Sequence, residues 1–297
     1  MLAPIVIFAF NRPEALKACV ASLLLNTGAK DSDLYIYVDG PRSGNQSDSV
    51  KVEEVRSIAK GIIGFKSVRT FFATENKGLG ASVIFGVSEV VNKYGRAIVV
   101  EDDLQVASNF LPFMNKGLDM YEGFKEVFSI CGYSNRLRVQ KDILFDAYFG
   151  PRSSSWGWAT WKDRWDLCDW KLSDWKAVRR NAWGFNRWGG SDCYKMLKDW
   201  KEGRNNSWAI RFCYNQFVQD KVSLFPFISK VVNNGFDGSG TNCGRWSRFK
   251  SDFDTTGSKE FRFPEDIVVT PSHRKQILAY HSLVKRVYSR IMYMVYR

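Results

Sequence analysis

Two hydrophobic periods exchange regularly over the first hundred residues, and this alternation constrains the chain's fold more than any other feature. Apolar runs too short for helices alternate with stretches whose apolar residues recur every three or four positions. The runs "PIVIFAF" (4–10), "LYIYVDG" (34–40), "SVRTFFAT" (67–74) and "AIVV" (97–100) read as strands. Between them, "PEALKACVASLLL" opens a helix at Pro13, and "VKVEEVRSIAKGI" and "GLGASVIFGVSEVVNKY" (78–94) continue the helical spacing. Apolar strands separated by helices build a mostly parallel sheet flanked by helices, so the class is α/β in a βαβαβαβ progression.

Open sheets of this kind bind ligands outside the carboxyl ends of their strands. Three such ends carry polar groups: Asn11 and Arg12 after the first, Asp39 in the second, and Glu101, Asp102 and Asp103 at the fourth. Adjacent carboxylates raise one another's pKa, so a positive partner is expected beside the triplet. Mn²⁺ or Mg²⁺ takes oxygen ligands, one or two of them carboxylates and the rest water and phosphate oxygens. Such a half-built site points to a nucleotide-diphosphate substrate. If strand alternation persists, Glu101 and Asp103 converge and Asp102 points elsewhere. Asp103 is the expected metal ligand, with Glu101 or Asp102 serving a ribose or a metal-bound water. "KGLGAS" (77–82) is no dinucleotide fingerprint, since Val83 stands at the third glycine position, and no Walker loop. Two readings of it stay open: a helix N-terminus with Lys77 near a diphosphate, or a plain loop.

"PIVIFAFNRPEALKACVASLL", "YVDG", "ENKGLGASVIFGVSEVV" and "AIVVEDDLQVASNFLPFM" together resemble the nucleotide-sugar half of a GT-A-fold glycosyltransferase. Within that fold the chain is similar to the N-acetylglucosaminyltransferase I group and related bacterial sugar transferases. "SSWGWATWKDRW" (154–165) and "NNGFDGSGTNCG" (233–244) extend the likeness to about residue 244. The resemblance implies that the acid motif binds Mn²⁺ and the donor diphosphate and that Arg12 and Asp39 contact the nucleotide. It implies further that the segment holding Gly238 and Ser239 closes over the donor, a UDP-sugar. The implied activity is inverting hexosyl or N-acetylhexosaminyl transfer to a glycan or lipid-linked glycan acceptor in bacterial surface polysaccharide synthesis. Relatives place a base Asp where this chain has Ala209, in "NSWAIRF" (206–212); Asp192 and Asp237 are the substitutes.

The chain has 297 residues and a net charge of +12, unevenly placed. Residues 1–150 hold 17 basic and 17 acidic side chains, and residues 151–297 hold 26 and 14. The organisation expected is a donor-binding half over 1–150, an acceptor-side α+β half over 151–272, and a basic helix over 273–297. Ten of the eleven tryptophans lie between Trp156 and Trp208. Their faces suit sugar rings or a packed core equally; Trp156 and Trp158 are the acceptor contacts, because Trp-Gly-Trp matches the family segment. The glycines at 235, 238 and 240 suit a lid that excludes water. The last 24 residues have six basic side chains and no acid, with Ile277, Tyr280, Val284, Val287, Ile291 and Met294 on one helical face. Such a helix lies peripherally on an anionic membrane or packs on the domain. His273 and His281 have no ligand spacing. No run approaches the roughly 18 apolar residues of a membrane span, and six cysteines without framework spacing fit a reducing cytosol. A metal-dependent nucleotidyltransferase is the competing enzyme reading, although no basic triphosphate loop is present. A nucleic-acid-binding module would use the basic half but leaves the acid triplet unexplained, so no nucleic-acid partner is expected.

Overall fold

The computed structural model describes residues 1–137, 144–234, 249 and 251–295. The expected alternation forms as β1 (Ile5–Ala9), α1 (Pro13–Leu24), β2 (Asp33–Val38), α2 (Gln46–Lys60), β3 (Ser67–Phe72), α3 (Leu79–Tyr94) and β4 (Arg96–Glu101). β1 pairs in parallel with β2 and β4, and β2 with β3. Every residue of β1 is buried because both sheet faces are covered. Ile5 and Ile7 join the core with Leu16 and Val52 of α1 and α2, while Val6 and Phe8 pack with Val83 and Val87 of α3. α2 starts at Gln46, ahead of its apolar pattern, because the Asn45 side chain accepts from the Asp48 N–H at 3.1 Å.

The chain continues through β5 (Leu104–Val106), α4 (Phe110–Met120), β6 (Val127–Cys131), β7 (Ala147–Gly150), β8 (Trp158–Trp161) and α5 (Lys162–Trp165). Then come α6 (Trp175–Arg180), α7 (Ala182–Gly189), α8 (Cys193–Lys201), α9 (Trp208–Val218), β9 (Val222–Pro226) and β10 (Val231–Asn233). The main sheet has the order β3-β2-β1-β4-β8-β6-β9-β7, and β10 pairs with β5 in a small second sheet. β8 lies antiparallel between β4 and β6, and β9 runs parallel to β6. Strands from both sides of residue 150 therefore share one mostly parallel sheet.

Most of the tryptophans serve packing. Trp158, Trp161, Trp165 and Trp208 are at most 3% exposed. Their indoles find internal acceptors where needed: Trp161 donates to the Leu118 carbonyl at 3.1 Å and Trp165 to Ser88 Oγ at 2.9 Å. The single helix expected over 273–297 is instead two, α10 (Pro271–Tyr280) and α11 (Leu283–Val295). The break falls at His281, and Ser282 Oγ accepts from the Lys285 N–H to begin the second helix.

Candidate functional site

β4 ends at Glu101, and the chain turns at Asp102 and Asp103. The alternation expected to pair Glu101 with Asp103 therefore does not persist: Asp102 and Asp103 converge instead, and the cation between them is Arg12. Its guanidinium donates to Asp102 Oδ1 at 2.5 Å and to Asp103 Oδ2 at 3.0 Å. Arg12 can do this because it is the residue before α1 and its side chain makes no capping bond. Asp102 is fixed further by its own N–H to the Phe8 carbonyl at 3.0 Å and by the Phe10 N–H donating to Oδ2 at 3.2 Å. Burial pushes Asp102 up to about 6 against the pull of Arg12. Burial, then Asp103 and Asp102, raise Glu101. Asp103 Oδ1 is buried and has no hydrogen-bond partner among the described residues. Two carboxyl groups share one guanidinium, and one of their acceptor atoms is left without a donor.

Asp39 stands at the end of β2, and neighbouring groups occupy both its oxygens. Oδ1 accepts from the N–H groups of Gly40 at 2.9 Å and Lys77 at 2.8 Å; Oδ2 accepts from the Gly78 N–H at 2.9 Å and Asn76 Nδ2 at 3.2 Å. It staples the loop that leads into α3. The Lys77 ammonium lies 5.9 Å from the Phe85 ring centroid. Gly78 has φ +78°, and a Cβ on Gly80 would stand 2.3 Å from the Asn206 carbonyl oxygen. These glycines permit a tight turn and a close approach of two backbones.

The second half contributes a cavity of about 390 Å³. Asp192, Trp156 and Ala209 line it together with Tyr133, Arg152 and His281. Arg152, Tyr133 and His281 were not singled out as site residues from sequence; Arg152 stands just ahead of the quoted "SSWGW" and carries no motif of its own. Asp192 accepts from Arg152 at 2.9 Å. Burial pushes its carboxyl up, but Arg152 and then His281 outweigh this and hold it below the usual range. Trp156 meets Tyr133 and Phe249 edge-on, with centroids at 4.6 and 5.5 Å. Trp158 departs from the expected acceptor role: it is 1% exposed, with Trp165 and Trp208 stacked on it at 5.7 and 4.7 Å. No face is left for a sugar.

Backbone contacts join the cavity wall to the acids. The Tyr133 N–H donates to the Trp156 carbonyl, Gly157 packs against Val231 of β10, and β10 pairs with β5, which follows Asp103 directly. The Asn234 N–H donates to the Asp103 carbonyl at 3.0 Å. Asp237, Gly238 and Ser239 themselves lie outside the described residues. No group of three His, Cys, Asp or Glu side chains able to hold a metal occurs among the described residues. The unpartnered Asp103 Oδ1 suits a hard divalent cation that draws its other ligands from water and phosphate.

No family model matches this chain. No curated protein matches it by sequence. Among solved structures it is similar to the mannosyltransferase PcManGT from Pyrobaculum calidifontis in complex with GDP-Man and Mn²⁺, at 11% identity and TM-score 0.37 over 55% of this chain and 46% of that one. It is also similar to TarS from S. aureus, at 11% identity and TM-score 0.34 over 55% and 47%. A third is the glycosyltransferase GlyE from Streptococcus pneumoniae, at 11% and 0.36 over 76% and 45%. The chain spans less than half the length of each.

Proposed function

We propose that the chain is an inverting glycosyltransferase that takes a nucleotide-diphosphate sugar, a UDP-sugar by its resemblance, and transfers the sugar to a hydroxyl of a glycan acceptor. The observation that carries the reading is the Arg12–Asp102–Asp103 cluster at the carboxyl ends of β1 and β4, with Asp103 Oδ1 left without a donor. Asp103 would hold Mn²⁺ or Mg²⁺ there. When bound, the metal supplies charge neutralisation for the leaving diphosphate. Arg12 holds both carboxylates in place, and Asp39 fixes the loop before α3. The cavity beside Trp156 receives the acceptor: a half-open aromatic face takes the apolar side of a sugar ring, and the enclosing walls keep water from the reacting bond. A base on the cavity side removes the acceptor proton.

Thermal melting with a nucleoside diphosphate, with and without Mn²⁺, tests this. At a ligand concentration about a hundredfold above Kd the native chain is expected to gain roughly 5 °C. Asp103→Ala should lose the Mn²⁺-dependent part of the gain and keep its ligand-free melting point within a few degrees. An equal gain in the variant would remove the cluster from donor binding. A gain with nucleoside triphosphates but none with diphosphates or nucleotide sugars would favour nucleotidyl transfer.

A further inference from the structure

The amphipathy of α11 is turned the wrong way for a helix that packs on its own protein. Leu283, Val284, Val287 and Ile291 are 62%, 78%, 50% and 49% exposed. Val284, Val287 and Ile291 follow three- and four-residue spacing, so they form one stripe, with Leu283 at its edge. Arg286 lies about half a turn from Val284, and its side chain touches the body of the protein, donating to Ser191 Oγ at 3.4 Å. Ser191 in turn donates to the His281 carbonyl at 3.0 Å. The polar face thus looks inward and the apolar face outward. α10 is built the other way, with Ile277 only 5% exposed among Tyr148 and Phe225. Lys285 and Arg290 border the α11 stripe on its two sides, and neither has an ion-pair partner among the described residues. Residues 274–297 contain no acid.

We propose that α11 lies in the interface of an anionic lipid bilayer, its apolar stripe among the upper acyl chains and Lys285 and Arg290 on headgroup phosphates. Charge decides the occupant. A second copy of the helix would bring the same cations together with no acid of its own to meet them, whereas an anionic bilayer supplies phosphates along both borders. No described helix is long and apolar enough to cross the membrane, so the contact is peripheral. His281, at the head of α11, lines the 390 Å³ cavity. The helix therefore holds that cavity beside the lipid surface. Resting on the transferase reading, this makes the acceptor class a glycan carried on a lipid.

Sedimentation of the full chain with vesicles tests it, comparing phosphatidylcholine alone with phosphatidylcholine and phosphatidylglycerol in equal parts. The native chain should pellet with the mixed vesicles, and removing the anionic lipid or adding high salt should weaken binding about tenfold or more, as two interfacial cations require. Val284→Asp with Val287→Asp should abolish pelleting while leaving the melting point and the Mn²⁺-dependent nucleotide response as in the native chain. Lys285→Glu with Arg290→Glu keeps the stripe and should lose the preference for anionic lipid. Native protein that stays in the supernatant with both vesicles overturns the proposal, as does a valine variant that still pellets. So does a native dimer, seen by gel filtration with light scattering, that the valine variant splits. Vesicle binding needs no nucleotide and nucleotide binding needs no vesicle, so each reading can fail alone.

Discussion

Asp192 shows how a neighbour decides what a carboxylate can do. A general base must accept a proton, and a carboxyl held below its ordinary range by an adjoining guanidinium accepts one poorly at neutral pH. The pair is largely enclosed, so its first role is to neutralise Arg152 in the cavity wall. Asp192→Ala should therefore cost about 3 kcal/mol of stability, measured by urea unfolding, because it leaves a buried cation without its carboxylate. Replacing both partners with apolar residues, Asp192→Leu with Arg152→Met, should recover most of that loss. Native stability in the single variant, together with loss of transfer, would instead make Asp192 the base. Asp39 makes a similar point: its position at a strand end is that of a ligand contact, yet its oxygens already satisfy four donors, one on Gly40 and three in the loop before α3.

At the scale of elements, the junction of α3 with the loop before α9 depends on a missing side chain. Gly80→Ala raises helix propensity but drives a Cβ into the Asn206 carbonyl, so one backbone must move. The expected loss is about 1–3 kcal/mol. Gly123→Ala, where a Cβ meets nothing within 4 Å, should change stability by less than about 0.5 kcal/mol and serves as the control. The elements legible in the sequence were those whose burial follows a period: β1 to β4 and the helices between them appear within a few residues of their expected bounds. β8 was not legible as a strand. "WATW" is four residues buried on both faces, too short for a period, and its tryptophans look the same whether they stack on sugar or on one another. The convergence of Asp102 and Asp103 was hidden because it depends on a turn that follows Glu101, and no alternation argument survives a turn. The break at His281 escaped because the apolar spacing runs through it unchanged.

For the molecule as a whole, the segment after β10 is tied back by one buried ion pair. Lys230 donates to Asp254, which also accepts from Asn109 Nδ2 at 3.0 Å and from the Thr256 N–H at 2.8 Å. Burial pushes the Asp254 carboxyl up, but these donors outweigh it and hold it at about 2. Its folded pKa lies below its unfolded one, so its contribution to stability is complete above about pH 4 and is lost as pH falls toward 2. Asp254→Asn should melt lower than the native chain at pH 7, and the gap should close between pH 4 and 2.

The sheet order carries a further consequence, in the sequence of events during synthesis. β1 to β4 find all their mutual partners within the first 101 residues, so the four parallel strands can pair as soon as that length has emerged. β6 cannot join them on its own. Its place is separated from β4 by β8, which is made some 30 residues later, and its other edge waits for β9, beyond residue 221. Contacts between such distant segments form slowly, because long loops must close first. The antiparallel insertion of four residues thus makes a latch: the acid cluster can assemble on the early sheet, and the cavity closes beside it only when the last strands arrive.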